Sequence, residues 1–144
     1  MQRSTDRILT THTGSLPRPA DLVTMLYARD RGELQDHAAF AARVREATAA
    51  VVRRQVECGV DIVNDGETSK VGYSTYVKDR LSGFGGEAGP LRAADLLEFP
   101  QYARRVLRMT HMQRPACTGP ITYTDKTALQ QDIDNLCATS SISS

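Results

Sequence analysis

The chain has 144 residues, 40% apolar and 24% charged, an ordinary balance for a soluble domain with a single core. A formal net charge of +1, with arginines scattered among acids, gives no electrostatic reason to expect nucleic acid or an anionic membrane as partner. No apolar stretch approaches a membrane span and the N-terminus lacks a signal-peptide core, so a cytoplasmic location is expected. Three cysteines (Cys58, Cys117 and Cys137) form no Cys-x-x-Cys or His-x-Cys pair and are expected as reduced, buried, small hydrophobes.

In chain order, Arg7-Ile8-Leu9-Thr10-Thr11 is a short candidate strand. The loop His12-Thr13-Gly14-Ser15-Leu16-Pro17-Arg18-Pro19 follows, punctuated by one glycine and two prolines. Gly14 permits close backbone approach to a ligand, and Ser15 brings a hydroxyl and an amide to the same spot. Pro19 suits the first turn of a helix running to about residue 31, with Leu22, Val23, Met25 and Leu26 on its apolar face and Gly32 as its stop.

Asp36 is placed to cap the longest helix, residues 37–58. Val44, Thr48, Val51, Val52, Gln55 and Val56 recur near a 3.6-residue period, while Arg43, Arg45, Glu46, Arg53 and Arg54 take the wet side. Gly59 ends the helix and a strand at 60–63 follows, which makes a βαβ unit with parallel strands. Ile62 and Val63 read as buried strand. The turn after them, Asn64-Asp65-Gly66-Glu67-Thr68-Ser69-Lys70, presents carboxylates, hydroxyls and a lysine where α/β proteins put their chemistry. A solvated strand-to-loop turn would have the same spacing.

Residues 73–81 read as a helix with Tyr76, Val77 and Leu81 inward. Residues 83–90 form a glycine-rich loop, which neither follows a strand nor opens a helix as a phosphate cradle requires. Residues 95–109 are helical with a break before Pro100, and 115–120 are a third strand with its terminal loop. Asp125 opens a last helix with Ala128, Leu129, Ile133 and Leu136 on one face. The expected division is a domain over residues 1–138 and a serine-rich, disordered tail over 139–144.

About three βα units are therefore present, each with a polar loop at its strand end. A closed (β/α)8 barrel needs eight, over typically ~250 residues. Three would leave strand edges and apolar faces uncovered, which predicts self-association.

Three motifs carry a resemblance. Thr10-Thr11-His12-Thr13-Gly14-Ser15-Leu16-Pro17 resembles the opening of the catalytic barrel of cobalamin-independent methionine synthases and their shorter paralogues. Gly59-Val60-Asp61-Ile62-Val63-Asn64-Asp65-Gly66-Glu67 is similar to that family's second-strand motif, and Cys117-Thr118-Gly119-Pro120-Ile121-Thr122 to its third. The resemblance implies an α/β fold, the N-terminal portion of a (β/α)8 TIM barrel of the methionine synthase/uroporphyrinogen decarboxylase type. It implies methyl transfer, or in some relatives alkyl transfer, to a zinc-bound thiol such as homocysteine. Zinc coordination deprotonates the thiol, and the resulting thiolate attacks a methyl carbon held in line.

Carried over by position, Thr13, Gly14 and Ser15 bind the substrate carboxylate, and Glu67 pairs with its ammonium group. His12 and Asp65 are secondary candidates, with a structural hydrogen-bonded role for His12 and a capping role for Asp65 as the competing readings. Lys70 reads as solvated.

Family members carry their zinc ligands as a His-x-Cys pair, a Glu and a further Cys in later parts of the barrel. His12, His37 and His111 lie far in sequence from any cysteine, so no zinc is expected to be bound by this chain alone and no residue is assigned to catalysis. The folate-holding Arg-Cys pair and tryptophan are also absent from the equivalent stretches 83–90 and 123–126. That departure points toward the shorter paralogues, or toward relatives that transfer epoxide-derived groups to coenzyme M. The competing classes are a non-catalytic α/β binding or scaffold module and an enzyme completed by a separately encoded second half.

Overall fold

Asp36 opens the longest helix as its spacing requires: its Oδ1 accepts the Ala39 amide at 2.8 Å, which satisfies one of the free N–H groups of the first turn. The computed structural model describes residues 3–86, 88, 94–109 and 115–140. In chain order it contains α1 (Ala20–Asp30), α2 (His37–Glu57), α3 (Tyr73–Lys78), β1 (Phe84–Gly85), α4 (Ala94–Glu98), α5 (Pro100–Met109), β2 (Ala116–Cys117) and α6 (Thr127–Ser140). These fall into two compact units, one drawn from Met1–Lys70 and Lys126–Ser144, the other from Val71–Asp125.

The first unit is built on α1 and α2. Leu22 and Leu26 of α1 are fully buried, and α2 buries Phe40, Val44, Ala47 and Val52 together with the polar Thr48 and Gln55. Each large apolar side chain so buried contributes about 1.5–3 kcal/mol. The Arg29 guanidinium lies 4.9 Å from the Phe40 ring centroid, and Arg43 pairs with Asp21, so charged side chains also tie the two helices together. Pro19 stands at the N-cap of α1, one position ahead of the first turn. Val56 is half exposed rather than inward, because it lies in the last turn of α2, beyond that contact.

The expected parallel pairing is present at its minimum: Thr11 and Ile62 form a single parallel bridge, with the Ile62 amide donating to the Thr10 carbonyl at 3.0 Å. Side chains take the places that a longer ladder would use. The Asp61 carboxylate accepts the Thr10 amide at 2.8 Å and the Thr10 hydroxyl at 3.0 Å, and Gln55 occupies both backbone groups of Asn64. The sequence predicts Ile62 as buried strand, yet it is 43% exposed, since no described residue covers that side of the bridge.

Arg7 grips Asp61 with two nitrogens, Nη1 standing 2.9 Å from Oδ2. That hydrogen bond, with those from Thr10, holds the Asp61 carboxyl well below the usual carboxylate range. A depressed folded value means that the stabilisation is complete above the unfolded value of about 3.9 and is lost as pH falls through the lower folded one. Asp61→Asn is therefore expected to be less stable than wild type at pH 7, with the gap closing as urea melts are repeated below about pH 4. A gap that stays constant down to acid pH would show that the carboxylate's charge is immaterial.

Helix α6 reverses an expectation. It packs on α2, with Asn135 and Thr139 buried, while Leu129 and Ile133 of its predicted inner face stand 37% and 44% exposed. The helix also runs through Ser140, into the stretch assigned to the tail, with the Thr139 hydroxyl donating to the Leu136 carbonyl at 2.6 Å. The remainder of the tail, 141–144, lies outside the described residues.

In the second unit the helical break at Pro100 appears as expected, between α4 and α5. Helix α3 stops at Lys78, and Leu81 instead forms an antiparallel bridge with Tyr123. Of the third strand and terminal loop expected over 115–120, only Ala116–Cys117 is strand, and it pairs antiparallel with Phe84–Gly85 of the expected glycine-rich loop. The Gly83 carbonyl accepts the Thr118 amide at 2.7 Å, so this part of the loop is hydrogen-bonded structure. Residues 87, 89 and 90 of that loop lie outside the described residues, as does His111. All three cysteines are free, in line with expectation, but exposed rather than buried. Cys58 occupies the C-cap of α2 and Cys117 lies in the two-residue strand β2, positions that the described residues leave open.

Candidate functional site

The parallel bridge sets the first loop and the acidic turn side by side. The Leu16 amide donates to the Gly66 carbonyl at 3.0 Å, and the Asn64 side-chain amide donates to the His12 carbonyl at 2.7 Å. Asn64 Oδ1 accepts the Gly66 amide at 2.8 Å, which folds the turn back on itself.

Across this seam the Ser15 hydroxyl donates to Glu67 Oε2 at 2.6 Å, a short charge-assisted bond between residues 52 positions apart. Ser15 is exposed and Glu67 half-buried, so the pair faces solvent. Arg18 closes the cluster. Its Nη2 lies 3.2 Å from Ser15 Oγ and 2.9 Å from the Glu67 carbonyl, which Nε also reaches at 3.2 Å. Burial lowers the Arg18 guanidinium from its ordinary value, with the Glu67 charge the largest opposing influence. Glu67 has φ +55, a left-handed conformation uncommon for a residue with a Cβ and frequent at ligand sites.

The candidate residues separate into groups. Ser15 and Glu67 are brought into direct contact. Thr13 and Gly14 stand exposed on the same loop, and nothing lies within 4 Å of where a Gly14 Cβ would be. Asp65 is occupied with its own turn: Oδ1 accepts the Glu67 amide at 3.1 Å, and Oδ2 lies 3.6 Å from Lys70 Nζ. Lys70 is thus paired and only 18% exposed rather than solvated. His12 lines a cavity of about 340 Å³ with Leu16, Pro17, Val51, Gln55 and Val60, a lining that includes neither Ser15 nor Glu67. Its Nε2 is buried without a hydrogen-bond partner among the described residues.

Three supporting residues carry roles that the sequence alone does not give: Arg18, Gln55 and Thr48. Gln55 holds the backbone of Asn64 at both ends, accepting its amide at 3.1 Å and donating to its carbonyl at 2.8 Å. Thr48 Oγ1 lies 2.7 Å from Thr68 Oγ1, which itself donates to the Asp65 carbonyl at 3.1 Å, so Thr48 supplies the proton between them. The signal was there to read, because a threonine and a glutamine occupy apolar-period positions of α2. Among the described residues, no group of three or more His, Cys, Asp or Glu side chains could hold a metal ion. The site residues as they stand, two carboxylates already paired with hydroxyl, lysine and amide donors, do not fit a zinc centre.

A parallel bridge with a helical crossover and polar loops at its ends defines a mixed α/β protein of the βαβ type. The family model for the catalytic domain of cobalamin-independent synthases matches residues 8–90. The chain belongs to that family, the cobalamin-independent methionine synthases. Among curated relatives, a methionine synthase of Thermococcus kodakarensis is 35% identical over 71 residues, covering 49% of this chain and 21% of the relative. One from Pyrococcus furiosus is 32% identical over a stretch of the same length. This chain therefore spans about a fifth of the length of the curated relatives it matches. Among solved structures, a B12-independent methionine synthase from a Shewanella species, in complex with selenomethionine, shares the fold. It has a TM-score of 0.57 and 19% identity, over 90% of this chain and 34% of that one.

Proposed function

We propose that this chain supplies the opening βα units of a (β/α)8 barrel and, with them, the rim that anchors an amino-acid substrate such as homocysteine. The Ser15–Glu67 contact carries the reading, because it joins the first and second family motifs at one solvent-facing point. Amides and a hydroxyl from Thr13, Gly14 and Ser15 suit the substrate carboxylate, and the Glu67 carboxylate suits its ammonium group. The incoming ammonium replaces the Ser15 hydroxyl at Glu67 Oε2 and frees that hydroxyl to turn toward the substrate carboxylate.

The reaction served is methyl transfer to a thiol, in the cytoplasm. In the family's chemistry the thiol is zinc-bound, and in this reading the zinc ligands come from outside these 144 residues. The chain is then a binding part, inactive alone, within a domain that extends to the end of α6 at Ser140. The outward Leu129 and Ile133 of α6 support association through uncovered apolar surface. No described helix is long and apolar enough to cross a membrane.

Calorimetric titration with homocysteine tests the anchor. Wild type is expected to bind, and Glu67→Gln to bind at least about tenfold more weakly, since a hydrogen bond between charged groups contributes about 1.5–3 kcal/mol. Glu67→Gly is the control for folding, because glycine relieves the left-handed backbone at φ +55. Equal affinity in wild type and Glu67→Gln would remove Glu67 from the site.

A further inference from the structure

We infer that Arg18 is the positioning residue of this site, holding the two anchoring loops in register and, before substrate arrives, setting the direction of the Ser15 proton. The inference rests on the amino-acid-anchoring reading and adds a residue that the family motifs do not assign. The flanking Pro17 and Pro19 restrict the backbone on either side, so the Arg18 side chain springs from a stiff base. The half-buried guanidinium then reaches Ser15 Oγ on its own loop and the Glu67 carbonyl on the other.

Donor chemistry makes this arrangement directional. A guanidinium cannot accept a hydrogen bond, so Ser15 Oγ accepts from Arg18 and its single proton points at Glu67 Oε2, 2.6 Å away. Two N–H groups converging on the Glu67 carbonyl also hold that residue in its left-handed conformation, which unaided is unfavourable. The carboxylate is thereby presented from a strained but fixed base. Lysine cannot reproduce this, because a point charge on a flexible stem lacks the planar fork.

The test uses the full chain with Arg18→Lys and Arg18→Met, and two readouts. The first is hydrogen exchange at the Leu16 amide, whose bond to the Gly66 carbonyl reports loop register without any ligand. Both variants are expected to exchange at least about tenfold faster there, with amides in the middle of α2 unchanged. The second is homocysteine titration, in which both variants weaken binding at least about tenfold and lysine fails to rescue. Wild-type behaviour of Arg18→Lys in both readouts would reduce Arg18 to a charge, and unchanged Leu16 exchange in Arg18→Met would overturn the role altogether. If wild type itself binds no homocysteine, the anchoring reading fails while Leu16 exchange still decides the role of Arg18.

Discussion

Replacing Gly66 with alanine should cost about 2–4 kcal/mol, the sum of a backbone term and a packing term. Gly66 is buried at φ +60, and a Cβ there would stand 3.0 Å from Leu16 Cβ and 3.0 Å from Val51 Cγ1. The left-handed conformation costs a residue with a Cβ about 1 kcal/mol or more, and overpacking adds about 1–3 kcal/mol. Neither neighbour yields easily. Leu16 Cβ is next to the backbone that bonds the Gly66 carbonyl, and Val51 projects from the middle of α2. Urea unfolding followed by far-ultraviolet circular dichroism reads the loss, and Gly14→Ala provides the comparison. Gly14 has φ +90 but open space around it, so it should incur only the backbone term. Equal losses at the two positions would show that the contacts with Leu16 and Val51 contribute nothing.

The second large effect is expected at Gln55, which is only 4% exposed. Its side chain substitutes for a neighbouring strand, accepting the Asn64 amide and donating to the Asn64 carbonyl. Gln55→Met keeps length and volume but removes both partners, leaving two part-buried backbone groups unpaired at about 1–3 kcal/mol each. A net loss of about 2–4 kcal/mol follows, after allowing for the better burial of a thioether. Because Asn64 also ties His12 and Gly66, the variant should loosen the seam as well as the helix contact. Accelerated exchange at the Asn64 and Gly66 amides would confirm this. A melt indistinguishable from wild type would mean that water replaces the glutamine at no cost.

These two residues show what could be read in the chain and what could not. The βαβ order, the capping of α2 by Asp36 and the break at Pro100 were legible because capping and proline effects act over a few residues. The motifs place Ser15 and Glu67 each at the end of a strand segment. Their direct contact was not legible, since it depends on how two segments 52 residues apart come into register. Arg18 and Gln55 were visible as residues, but their partners were not. A side chain's hydrogen-bond partner is a non-local fact unless capping or a turn supplies it.

The misread faces have the same origin. Periodicity finds an apolar stripe on α6 but not the surface against which the helix lies, so Leu129 and Ile133 face outward while Asn135 and Thr139 are buried. Ile62 and the three cysteines are exposed for a related reason: residue type predicts burial only where another element arrives to cover it. The motifs of the chain pointed to its family, and local chemistry placed its helix starts and breaks. Folding settled the rest by bringing distant polar groups within hydrogen-bond reach. It made Asp65 a turn support for Glu67, joined Ser15 to that carboxylate, and set Arg18 across both loops.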